Sequence, residues 1–188
     1  MLAYSTVAQV SYVGLGIGLA NPLGLVGALL HILNHAFMKS CLFLVAGGIR
    51  HQTGFREIPW FNGLGRRMPL MMGGFGVAAL SMVGIPPTAG FFSKWYLVRG
   101  AIDANNWVFV VVILVSSLLS AVYFFRIIER VYAYPPPPSS AADAGRSLEP
   151  PPRILVPILV LATGILVLGL ANAAIVTGIL DVVATPLK

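Results

Sequence analysis

The chain has 188 residues, of which 57% are hydrophobic and 10% charged, with a mean hydropathy of +0.88. Soluble domains carry about 25% charged residues, so a soluble core is excluded and an integral membrane protein is expected. The formal charge of +6 does not point to nucleic acid, because the arginines gather mainly in two loops, and the one cysteine, Cys41, lies in an apolar run that excludes a disulfide framework.

Taken in chain order, residues 1–20 lack a basic stretch and a small-residue cleavage site, so they read as a mature helix and not a signal peptide. About 20 apolar residues cross the hydrocarbon layer. Five segments qualify: 3–20, 22–49, 68–102, 105–133 and 154–176. The expected fold class is therefore all-α and polytopic, with about five transmembrane helices, one of them broken. In the first segment Ser5, Gln9 and Tyr12 recur at helical spacing. Such a stripe has no partners in lipid, so it faces protein or a hydrated path; ordinary interhelical hydrogen bonding is the plainer reading. Five helices offer little interior for polar faces, which suggests partner helices from outside the chain.

In the second segment His31, His35 and Lys39 are spaced i, i+4, i+8. On an α-helix they form one stripe rising about 12 Å. A lysine at the centre of a membrane helix costs about 2.5–3.5 kcal/mol even on lenient scales. Desolvated lysines exchange protons near neutral pH, and histidine already titrates there, so a water-bridged line of these groups suits a proton wire. Two other readings stay open. The histidines can be packing residues with Lys39 snorkelling, or they can ligate a metal or haem, although no third ligand is visible and "HILNH" lacks the glutamate of a zinc hydrolase.

The third segment is too long for one crossing and holds "GIPPTAGFFSKWYL" at 84–97. Pro86 and Pro87 remove backbone donors, and Gly84 and Gly90 permit unusual dihedrals, so a broken helix is expected. A break in lipid is tolerated only beside protein or a water-filled cavity. A passive proline kink is the alternative, but it leaves Lys94, again among apolar neighbours, unexplained. "GGFG" at 73–76 reads as close helix packing, since no strand precedes it, and Asp103 as a loop or cap residue.

At the end of the fourth segment Glu129 lies between Arg126 and Arg130, as an interfacial ion pair or a point of proton uptake. Residues 134–153 form a proline-rich linker expected to be solvated, followed by a terminal transmembrane helix and tail over 154–188. Arg50, Arg56, Arg66 and Arg67 place one loop in the cytoplasm, and Arg126, Arg130, Arg146 and Arg153 place the linker there too. The N-terminus is then cytoplasmic and the C-terminus outside. Trp60, Trp95 and Trp107 fall near span ends as interfacial anchors, with burial in protein an alternative for Trp95.

Three stretches, "LAYSTVAQVSYVGLGIGL", "LLHILNHAFMKSCLFLVAGGI" and "GIPPTAGFFSKWYLV", together resemble the antiporter-like membrane subunits found in respiratory complex I and in Mrp-type cation/proton antiporters. The resemblance covers roughly residues 1–133, which would form the bundle of a second repeat. It implies that His31, His35 and Lys39 are the central wire of that repeat, and that Lys94 is the broken-helix residue near the exit. It implies no cofactor and no resident metal, protons as the transported ions with sodium as a further candidate, and other membrane subunits as partners, including a first repeat that relatives carry and this chain does not. "SKWYL" resembles the Mrp-type branch, with a proton-pumping subunit of an NADH:quinone oxidoreductase as the alternative; catalytic chemistry is not expected in the chain itself. A bacterial inner membrane is the implied location. A non-conducting scaffold subunit is the competing reading from another class.

Overall fold

A computed structural model describes residues 2–54, 57–135 and 148–184; of residues 59, 60 and 181–184 only the backbone is described. Helix α1 (Leu2–Gly18) and helix α2 (Pro22–Thr53) meet at a turn built by Asn21. Its side-chain oxygen accepts the Gly24 N–H at 2.7 Å, and Pro22 fills the first helical position, where a missing N–H loses nothing. Helix α2 stops at Gly54, whose left-handed φ of 72° lets its N–H close on the Arg50 carbonyl. Its 32 residues span about 48 Å at the standard rise, well beyond the hydrocarbon thickness.

A 3₁₀ turn (Ile58–Phe61) and the short helix α3 (Leu64–Arg67) lead into α4 (Pro69–Val83), α5 (Ala89–Asp103), α6 (Trp107–Ala133), α7 (Pro152–Leu170) and α8 (Asn172–Ala184). By length and composition α2, α6 and α7 each suffice to cross a membrane, and α4 is a shorter apolar helix. Helix α2 is the hub, packed on α1, α4, α5, α7 and α8. Met38, Cys41 and Leu42 of α2 join Met71 of α4, Phe124 of α6 and Ile158 of α7 in one buried core. The opposite side of α6 exposes Val108, Val111, Leu114, Val115 and Leu118, a continuous apolar face suited to lipid or to another subunit.

The expected break falls between α4 and α5. Gly84 adopts φ 93°, and the Gly84 and Ile85 N–H groups both return to the Leu80 carbonyl, at 2.9 and 3.1 Å. Pro86 and Pro87 have no N–H to continue the ladder. The chain restarts at Thr88, whose hydroxyl donates to Ile85 O at 2.6 Å. Gly90 then approaches α4 so closely that a Cβ there would lie 2.8 Å from the Ser81 carbonyl carbon, and its N–H donates to the Ser81 hydroxyl at 3.1 Å. Gly169 of α7 closes the break from the other side: a Cβ would meet Ala89 N and Thr88 C at 2.9 Å.

Three expectations are corrected. The terminal span read as 154–176 is two helices, since α7 ends at Leu170 and α8 begins at Asn172. The linker is not solvated throughout. Residues 136–147, with Arg146, lie outside the described residues, but Leu148 donates its N–H to Arg67 O at 2.8 Å and Glu149 accepts the Leu70 N–H at 2.6 Å, at the start of α4. The polar stripe of α1 needs no helix from elsewhere, because Ser5, Gln9 and Tyr12 are all buried within this bundle. Trp95 is half exposed and stacks on Phe91, and Trp107 is exposed; Arg56 and the Trp60 side chain lie outside the described residues.

Candidate functional site

Every third or fourth residue of α1, namely Ser5, Gln9, Tyr12 and Gly16, is buried, which is one face of a helix. That face meets the stripe of α2 that carries His31, His35 and Lys39. Close approach is set by Gly16 and Gly24: a Cβ on Gly16 would stand 2.6 Å from the Gly24 carbonyl oxygen.

Lys39 is only 6% exposed. Its Nζ donates to the Leu2 carbonyl at 2.8 Å and to the Ser5 hydroxyl. Lys94, also 6% exposed, donates to Met82 O at 2.8 Å, Val83 O at 3.0 Å and Ser117 Oγ at 3.1 Å. Met82 and Val83 end α4, where carbonyls lack intrahelical partners and the helix dipole is negative. The break therefore supplies the oxygens that hold the ammonium. Gly84 also makes room for it, since a Cβ there would lie 3.1 Å from Lys94 Cδ. Neither lysine is paired with a carboxylate among the described residues.

Between the two amines lie the imidazoles. The His31 and His35 rings stack at 6.3 Å between centroids. His31 Nδ1 is 3.0 Å from the Ser93 hydroxyl of α5. Gln9 sits on the α1 face between Ser5, which contacts Lys39, and Tyr12, whose ring lies 5.3 Å from that of His31. Both amide atoms of Gln9, and Nε2 of His31 and of His35, are buried without a protein partner. Buried polar atoms are rarely left unpaired, so these four atoms at the α1–α2 contact are suited to bridging by water.

The structure thus brings together Ser5, Gln9, Tyr12, His31, His35, Lys39 and Lys94, with Gly84, Pro86, Pro87 and Gly90 shaping the break. It does not bring Glu129 into the group. Glu129 is exposed at the end of α6 and makes no ion pair with Arg126 or Arg130 among the described residues; Arg130 instead lies 5.9 Å from the Tyr134 ring. Among the described residues no group of three His, Cys, Asp or Glu side chains could hold a metal ion. Sequence reasoning passed over Ser93, Ser117 and Asn34. Asn34, between His31 and His35 in the polar stretch of α2, donates to Ala89 O at 2.6 Å and ties α2 to the restart of the broken helix. The signal available for all three was a small polar residue within an apolar helix.

Residues 1–120 match the family described as NADH:quinone oxidoreductase/Mrp antiporter, TM, and the chain belongs to that family. It is similar to NADH-quinone oxidoreductase subunit N of Desulforudis audaxviator, with 54% identity over 96% of this chain and 38% of that protein. It is also similar to a Na(+)/H(+) antiporter subunit of Alkalihalophilus pseudofirmus, with 34% identity over 71% of this chain and 27% of that protein. Among solved structures, a chain of the Mrp complex from Dietzia sp. superposes with a TM-score of 0.83 at 26% identity, over 95% of this chain and 41% of that one. The chain spans well under half the length of these relatives. It is an integral membrane protein of a family whose relatives are subunits of multisubunit membrane complexes.

Proposed function

We propose that this chain forms a proton-translocating repeat within a multisubunit membrane complex, with Lys39, His35, His31 and Lys94 as successive proton carriers. The observation that carries this reading is the pair of buried lysines without carboxylate partners among the described residues, flanking two imidazoles whose Nε2 atoms are unpaired. Holding two such amines inside the membrane is expensive, and a scaffold has no use for them. Charging one site raises the cost of charging the next, so a proton arriving at one end favours release at the other.

The α1–α6 bundle, residues 1–133, is the conducting repeat, and 154–188 is an added terminal unit. The arginine-bearing loops face the cytoplasm of a bacterial inner membrane, which puts the N-terminus inside and the C-terminus outside. The 54% identity to an NADH-quinone oxidoreductase subunit along nearly the whole chain supports assembly in a complex of that kind, with electron transfer in other subunits. A second reading, cation/proton antiport with sodium as the exchanged ion, is supported by the antiporter relative and by the 0.83 superposition.

The test is proton uptake into inverted membrane vesicles bearing the assembled complex. Lys39→Ala and Lys94→Ala should each abolish uptake with the chain still present in normal amount; unchanged uptake would favour the scaffold. Uptake driven by NADH oxidation supports the oxidoreductase assignment, and uptake answered by sodium efflux supports antiport.

A further inference from the structure

Ser93 has one hydroxyl hydrogen, and its destination determines how His31 can carry a proton. The Ser93 hydroxyl donates to the Gly90 carbonyl at 3.1 Å, within the first turn of α5. Its oxygen lies 3.0 Å from His31 Nδ1. With its hydrogen engaged on Gly90, the hydroxyl is an acceptor toward the ring, so Nδ1 carries the hydrogen and Nε2 holds the lone pair. That Nε2 is the buried atom without a hydrogen-bond partner, although the Gln9 backbone lies beside the ring, whereas Nδ1 is already engaged by the Ser93 oxygen.

Resting on the reading of His31 as a proton carrier, we propose that Ser93 is a positioning residue that fixes the Nδ1–H tautomer of His31, making the ring a one-sided carrier that takes up and releases protons through Nε2 alone. The proton that binds Nε2 is the proton that leaves it, and the Nδ1 hydrogen stays on Nδ1, donated to Ser93 Oγ, throughout. Relay through Ser93 is blocked, because the next group beyond it is the Gly90 carbonyl, which accepts a hydrogen bond but passes no proton on. Although Ser93 adjoins Lys94 in sequence, the step between His31 and Lys94 therefore runs on the Tyr12 side of the ring. The break matters here as well: it sets the position of Gly90, which the Ser81 hydroxyl holds from α4.

The test is ¹⁵N solid-state NMR of the full chain in liposomes with labelled histidine, His31 being assigned by its loss in His31→Gln. At a pH where the ring is neutral, the expected spectrum has His31 protonated at Nδ1 and bare at Nε2. Ser93→Ala should move His31 toward the Nε2–H form and lower proton uptake by the assembled complex about tenfold, the scale of one lost hydrogen bond; Ser93→Thr, which keeps the hydroxyl, should restore the tautomer. A wild-type ring protonated at Nε2, or a Ser93→Ala chain with the wild-type spectrum, overturns the proposal. The wild-type spectrum decides even where Ser93→Ala fails to fold. Uptake that survives Lys39→Ala and Lys94→Ala would count against the transport reading and leave the tautomer result standing.

Discussion

The Lys94 ammonium lies 5.4 Å from the centre of the Tyr12 ring, and the same ring meets His31 at 5.3 Å and 77°. One aromatic side chain thus separates two of the proposed carriers. A desolvated cation over an aromatic face is stabilised by about 2 kcal/mol. Tyr12→Leu should therefore slow proton uptake about thirtyfold. Tyr12→Phe keeps the ring and gives up the hydroxyl, which reaches Ile113 O at 3.5 Å and also bonds Ser116 and Ser117, so its rate should fall less than that of Tyr12→Leu. Paired uptake measurements on the two variants check this.

Lys94 also has a structural duty, since its ammonium holds the last carbonyls of α4. Lys94→Met leaves Met82 O and Val83 O unpaired, at about 1–3 kcal/mol for buried groups. The melting temperature of the detergent-solubilised chain should fall. Ser117→Ala, which removes one of three partners, should lower it less.

The contact between α1 and α2 rests on small residues. A methyl group at Gly16 would stand 2.6 Å from both Gly24 O and Leu97 Cδ2, whereas one at Gly14 would meet nothing within 4 Å. Overpacking of this kind costs about 1–3 kcal/mol. Gly16→Ala should be destabilised by that amount in thermal melts, and Gly14→Ala, two residues away on the same helix, should match or exceed the wild type.

Glu149 accepts the N–H groups of Leu70 and Met71, at 2.6 and 3.4 Å, where α4 begins. A carboxylate at that position both caps the helix and complements its dipole, together about 1 kcal/mol. Glu149→Ala should lower stability by about that much and speed amide hydrogen exchange at Leu70 and Met71, while Glu149→Gln should keep part of the effect.

Much of this arrangement was legible in the sequence because membrane helices leave few ways to place a polar group. The stripe of His31, His35 and Lys39, the polar face of Ser5, Gln9 and Tyr12, and the break at "GIPPTAG" all follow from helical spacing and from proline's missing N–H. What was not legible depends on partners distant in sequence. Nothing local marks Ser93 as the residue that meets His31, or Met82 and Val83 as the oxygens that hold Lys94, because both pairings arise only when α5 folds back on α4 and α2. The end of α7 at Leu170 was hidden for another reason: apolar character continues across it, so hydropathy alone runs two helices together. The docking of Leu148 and Glu149 was obscured by the prolines around them, which suggested a free segment.

Helix α7 bears none of the proposed carriers, yet Gly169 lets it lie directly against Thr88 and Ala89. Shortening the protein after Tyr134 would spare every proton-carrying side chain and still remove the wall on which the interrupted helix leans.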